Sequence, residues 1–128
     1  MATILIVDDA RSTLRALEVI LKREGYTVRT AVSGEEGLTC IEHQEVDLLL
    51  CDVKMPKMDG LAVLRQVKAQ DAGLAVVMMS VHGDISTAVS AMKEGAFDYL
   101  VKPFGEEDVL RVVQKALAMR ALVVENLL

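Results

Sequence analysis

Short apolar runs and amphipathic stretches take turns along this chain from its first residues almost to its last. Thr3 to Val7 is strand-like, and Arg11 to Glu24 follows with Leu14, Leu17, Ile20 and Leu21 on one helical face before Gly25 ends it. Thr27 to Ala31 is again strand-like. Ser33, with Glu36 three residues on, forms a capping box for a short helix carrying Leu38 and Ile41. Asp47 to Asp52 is apolar throughout its middle, as a central parallel strand covered on both faces requires. The Met-Pro and Asp-Gly pairs mark Val53 to Gly60 as loop. Leu61 to Lys68 is helical, Ala75 to Ser80 a strand, Ile85 to Lys93 a helix closed by Gly95, and Asp98 to Val101 the last strand. A long helix starts near Glu106 and runs almost to the end. Five strands alternating with five helices predict a single doubly wound parallel sheet with helices on both faces. The pattern does not fix strand order, but the flavodoxin-like order 2-1-3-4-5 suits five βα units best.

Composition narrows this picture. A chain of 128 residues makes one domain able to bury a core without staples. With 52% hydrophobic residues and only 3% aromatics, that core is aliphatic. A net charge of −5 lacks the basic footprint of a direct nucleic-acid binder. Cys40 and Cys51 have neither disulfide-framework density nor metal-ligand spacing, so both are expected as core fillers in a reducing cytoplasm. The sequence shows no signal peptide and no stretch of membrane-spanning length.

Candidate chemistry lies at the strand ends. Asp8 and Asp9 follow the first strand, Asp52 the third, and Lys102 the fifth. The carboxyl ends of central strands in an open parallel sheet share one crevice, where ligands bind. Each residue alone has an ordinary reading: Asp8 or Asp9 as a helix cap, Asp52 as a strand end, Lys102-Pro103 as a strand terminus with a turn residue. Adjacent carboxylates repel each other unless a cation neutralises them, so the set together implies a pocket. Mg²⁺ takes one or two carboxylates plus phosphoryl oxygens, and Asp9 with Asp52 suits that role, Asp8 holding a water behind them. An Asp carboxylate can itself attack phosphorus to form an aspartyl-phosphate, with Lys102 offsetting charge on the transferred oxygens. Ser80, at the end of the fourth strand, can donate a hydroxyl to another phosphoryl oxygen, although a serine there is also an ordinary turn residue.

The order Asp8-Asp9, Asp52, Ser80, Tyr99 and Lys102-Pro103 resembles that of receiver domains of two-component response regulators. Its most specific pieces are Asp52-Val53-Lys54-Met55-Pro56-Lys57-Met58-Asp59-Gly60 and Gly95-Ala96-Phe97-Asp98-Tyr99-Leu100-Val101-Lys102-Pro103-Phe104. The resemblance implies that Asp52 accepts a phosphoryl group from a phosphohistidine of a sensor histidine kinase. It implies Mg²⁺ on Asp9, Asp52 and the Lys54 backbone carbonyl, assisted by Asp8, and a cis peptide between Lys102 and Pro103. Ser80 and Tyr99 match the family's switch pair, in which the hydroxyl moves toward the phosphoryl group and the ring swings inward. It further implies a switch that catalyses only its own phosphorylation and dephosphorylation, not an enzyme with a separate substrate. Two positions depart from the common pattern. Ser80 replaces a more frequent Thr, and Val81 stands where a smaller residue is usual, which predicts slower dephosphorylation. His82 is a candidate for contact with the phosphoryl group or attacking water, against the plainer reading of a solvated loop histidine.

The run from His82-Gly83-Asp84-Ile85 through Ala91-Met92-Lys93-Glu94-Gly95 is similar to receivers of sigma-54-dependent, nitrogen-regulatory-type activators. In those proteins an ATPase domain and a DNA-binding domain follow, and the resemblance implies them as partners of residues 1–118. Leu110, Val113, Leu117, Arg120, Val124 and Leu127 form a short heptad seam. Residues 119–128 are therefore expected to extend the last helix as a linker, with homodimerisation through that helix and the face around Tyr99. A phosphohydrolase of the haloacid-dehalogenase type would need a carboxylate where Lys54 stands, and usually a cap insertion. A receiver that has lost phosphorylation would not need the intact acidic set, and a stand-alone or hybrid-kinase receiver differs only in its neighbours.

Overall fold

The computed structural model describes residues 1–81 and 85–127, with side chains of the last helix described as far as residue 122. Its elements run β1 (Thr3–Val7), α1 (Arg11–Arg23), β2 (Thr27–Ala31), α2 (Gly34–His43), β3 (Leu48–Asp52), α3 (Gly60–Gln70), β4 (Ala75–Val81), α4 (Ile85–Lys93), β5 (Asp98–Lys102) and α5 (Glu106–Leu127). The five strands form one parallel sheet in the order β2-β1-β3-β4-β5, the flavodoxin-like order expected from the alternation.

Strand periodicity divides the core in two. Leu5, Val7, Leu49, Cys51, Val76 and Met78 face α2 and α3, while Ile4, Ile6, Leu48, Leu50, Val77 and Met79 face α1 and α5. Each such buried aliphatic side chain contributes about 1.5–3 kcal/mol relative to exposure. On α1 the apolar stripe buries Leu14, Leu17 and Leu21, with Ile20 only half-buried. Ser33 Oγ accepts from the Glu36 N–H at 3.1 Å, the first half of the expected capping box.

Three differences from the sequence reading are informative. Helix α3 begins at Gly60, capped by Asp59, whose carboxylate accepts from the Ala62 N–H. Strands β4 and β5 each run one residue further, pairing Val81 with Lys102. Cys51 is buried, as a core filler should be, but Cys40 is only half-buried at the margin of α2. Cysteine's usual burial sets only a tendency, and the position of α2 leaves this face partly open.

Candidate phosphoryl site

The sheet register assembles the pocket. Val7 pairs with Cys51, so Asp8 and Asp52 emerge side by side from the carboxyl ends of β1 and β3. Asp8 is wholly buried, Asp52 nearly so, and Asp9 is exposed. The three offer carboxylate oxygens within 4.8 Å of one another. Lys102 enters from the end of β5, its Nζ 2.7 Å from Asp8 Oδ2 and 3.3 Å from Asp52 Oδ1. The ordinary capping role does not account for the paired aspartates, because the N-cap of α1 is Ala10 and has no side-chain cap. Asp8 instead turns its other oxygen to the Ala10 N–H at 2.9 Å.

Like charges dominate the electrostatics. Burial, then the Asp8 charge, pushes Asp52 up to about 6, with Lys102 pulling against them and Asp9 adding a smaller push. Burial works to lower the Lys102 pKa, but its hydrogen bond to Asp8 and the charges of Asp52 and Asp8 outweigh that and raise it. One cation therefore serves two carboxylates, and a third stands beside them. The donor set fits a hard divalent cation: oxygens only, converging, with surplus negative charge.

The remaining candidates lie at graded distances from this centre. Ser80 is buried at the end of β4, one residue beyond the Asp52–Met79 pair. Tyr99 lies lower on β5, paired with Met78 and packed partly against the α2–α3 side of the core. Lys54, two residues past Asp52, has an exposed side chain, and the Lys102–Pro103 peptide is cis. Val81 is more than half exposed beside Lys102, while His82 and the Val124 and Leu127 side chains lie outside the described residues. Leu110, Val113 and Leu117 pack on the sheet, and Arg120 turns back to Asp71.

Sequence reasoning missed what shapes the loop after Asp52. The Gly60 N–H donates to Val53 O at 2.7 Å, and a Cβ at Gly60 would stand 2.2 Å from Asp52 O. No other residue lets α3 start this close to the strand end. Lys57 takes a left-handed conformation, φ 67°, which a lysine seldom adopts. The Asp59-Gly60 pair signalled a turn, but nothing in the pattern signalled the close approach. A groove of about 420 Å³ also opens beside Lys102, lined by Ser12, Thr13, Ala16, Val81, Pro103 and Phe104.

Comparison with known proteins agrees with this geometry. The family described as "Response regulator receiver domain" matches residues 4–114. The transcriptional regulatory protein ZraR of Escherichia coli K12 is 42% identical over 115 residues, covering 90% of this chain and 26% of that protein. The DNA-binding transcriptional regulator NtrC of Salmonella typhimurium is 42% identical over 113 residues, covering 88% of this chain and 24% of its own length. The chain thus spans about a quarter of these curated relatives. The crystal structure of NtrX from Brucella abortus with ADP superposes with a TM-score of 0.93 at 38% identity, covering 98% of this chain and 29% of that one. A parallel sheet in the 2-1-3-4-5 order, an acidic crevice at its carboxyl edge and a match over nearly the whole length converge: this chain belongs to the response regulator receiver domain family.

Proposed function

We propose that this chain is a phosphorylation-controlled switch that takes a phosphoryl group from a sensor histidine kinase onto Asp52. The observation that carries this reading is the pocket in which Lys102 bridges Asp8 and Asp52 at 2.7 and 3.3 Å beside Asp9. An Asp52 oxygen attacks phosphorus, an O–P bond forms, and the N–P bond to the donor imidazole breaks with its electron pair leaving on nitrogen. Asp9, Asp52 and the Lys54 backbone carbonyl would hold Mg²⁺, with Asp8 assisting from behind. When bound, the metal supplies charge stabilisation for the transferring oxygens. Lys102 supplies the same from the other side, and the Ser80 hydroxyl donates to a further phosphoryl oxygen.

The donor histidine must reach Asp52 through the mouth of the crevice. The groove of Ser12, Thr13, Ala16, Val81, Pro103 and Phe104 borders that mouth, which supports it as the surface a kinase would meet. Once Asp52 is phosphorylated, Ser80 moves toward the added group and Tyr99 follows inward, so a local charge shifts a two-state face. Around Tyr99 that face carries exposed Val89 and Met92 of α4 and Val101 of β5, which suits homodimerisation together with the end of α5. The output is a following ATPase domain of the sigma-54 activator type with its DNA-binding domain, in the cytoplasm. Among the described residues, no helix is long and apolar enough to cross a membrane.

Incubation with acetyl phosphate and Mg²⁺ tests the assignment by intact mass and by dimerisation. Wild type gains one phosphoryl mass and associates, and Asp52→Asn does neither. A phosphoryl group that persists on Asp52→Asn overturns the role of Asp52.

A further inference from the structure

The amino edge of the sheet, remote from the phosphoryl site, carries an ion pair that reaches from one helical layer to the other. Helix α5 packs on the sheet through Val109, Val112, Val113 and Ala116. Arg120 follows on the same face, four residues after Ala116, where an apolar side chain would run off the edge of the core. Its guanidinium instead donates to both oxygens of Asp71, at 3.3 Å from Nη1 and 3.1 Å from Nη2. Asp71 is the C-cap of α3, on the opposite layer.

The acceptor is pre-set. Asp71 Oδ1 also accepts from the Gly73 N–H at 3.1 Å, an Asx turn, and its backbone carbonyl accepts from the Leu74 N–H. Lys68 stiffens the same corner by donating to the Ala72 and Leu74 carbonyls. Arg120 is therefore held by a rigid corner, its side chain 18% exposed and its Nε buried without a partner. Such burial is not needed for solvation, since an arginine on an exposed helix face is satisfied in water, and it leaves Nε without a partner. Past it, Leu122 is exposed while the helix continues to Leu127. Among the described side chains, Arg120 is the last on α5 with a bond to the body.

We infer that Arg120 and Asp71 form a clamp that holds the last turns of α5 as one rigid body with the receiver, making Arg120 a positioning residue for whatever the helix carries. The helix it grips, α3, starts at Gly60, bonded to Val53 beside Asp52. The output helix is thereby tied to an element rooted at the phosphoryl pocket. The inference stands on these contacts alone and holds whether or not Asp52 accepts a phosphoryl group.

Amide hydrogen exchange on the full chain tests it. In Arg120→Met, amides of residues 117–127 exchange about tenfold faster, the factor that loss of one charge-assisted bond of this kind sets. Amides of β1 and β3 keep their protection. Asp71→Asn preserves the turn to Gly73 and gives a smaller acceleration in the same segment. Arg120→Lys keeps the charge but not the two-point bond and restores only part of the protection, and Met, Lys and Arg have similar helix propensities, so the helix itself is not the variable. Unchanged exchange of 117–127 in both Arg120→Met and Asp71→Asn overturns the clamp. So does an acceleration spread evenly over every element, which would mark a general stability role.

Discussion

The two edges of the sheet handle charge in opposite ways. At the carboxyl edge Asp8 and Asp52 share one cation, Lys102, with Asp9 beside them, and Asp52 is pushed up to about 6. At the amino edge Arg120 meets Asp71 at 3.1 Å, while Lys68 is spent on two backbone carbonyls. Both edges close the same aliphatic core, so hydrophobic burial does not distinguish them. Charge balance does. A matched pair holds two elements together and leaves nothing over for a ligand. Surplus like charge in a buried crevice weakens the metal-free fold, and it is that surplus which a divalent cation or a transferred group can use.

Removing the cation at each edge is the strongest way to break this comparison. Lys102→Met leaves Asp8 wholly buried beside Asp52 with no counter-charge. Metal-free urea unfolding is expected to lose about 3 kcal/mol, and phosphorylation by acetyl phosphate to slow about a hundredfold. Arg120→Met leaves an Asp71 carboxylate that is 40% exposed and can turn to water. The expected loss of global stability there is under about 0.5 kcal/mol, the effect being confined to the end of α5, with no change in phosphorylation. Equal losses from the two substitutions would mean that the edges do not differ in kind.

The next effect is one of pH. The folded pKa of Asp52, about 6, lies above the 3.8 of an ordinary Asp, so the unfolded chain releases this proton first as pH rises. Between those values the folded protein holds more protons than the unfolded one, and stability falls with rising pH. Below the window the penalty is absent. A rise from 3.8 to about 6 corresponds to about 2–3 kcal/mol lost by neutral pH in metal-free protein. Asp52→Asn is therefore expected to match wild type near pH 4 and to exceed it by about 2 kcal/mol at pH 7. Added Mg²⁺ should close most of that gap, since it binds only the folded wild-type pocket well. A constant difference between the two proteins across this range, read from urea midpoints, would show that burial of the Asp52 charge is not what destabilises the pocket. Arg120→Met should leave the wild-type pH slope as it is.

Much of this was legible before any coordinates. Alternation of apolar runs gave the layers, because parallel strands covered on both faces cannot hide their composition: Leu48, Leu49 and Leu50 are all buried. The crevice residues were legible because a strand end followed by a carboxylate or lysine has one location in this architecture. Strand order became certain only with the register of β1 against β3 and β2. Pairings across the sheet's edges stayed hidden. Arg120 reads as the polar member of a heptad seam, and nothing local says that it turns to Asp71, 49 residues away. Gly60 was equally opaque, since a turn glycine and a glycine pressed against Asp52 O look alike in sequence.

Val81 offers the finest test, because it changes access to the carboxyl edge without touching its charge. It ends β4, pairs with Lys102 and is 56% exposed, an apolar side chain at the rim across which water would approach the phosphorus in the proposed function. Hydrolysis of an aspartyl-phosphate needs that water in line with the bond to Asp52, and a branched side chain on the rim narrows the approach. Val81→Ala should shorten the aspartyl-phosphate half-life, and Val81→Gly should shorten it further, to about a third of wild type, equivalent to about 0.7 kcal/mol in the barrier. Glycine also loosens a strand end, so Ala is the decisive member of the pair: it opens the rim while keeping the backbone restrained. A half-life ordered Val, Ala, Gly with phosphorylation rates unchanged marks Val81 as a gate to water. If Ala behaves like Val and only Gly differs, the effect belongs to backbone freedom at the end of β4 and not to access.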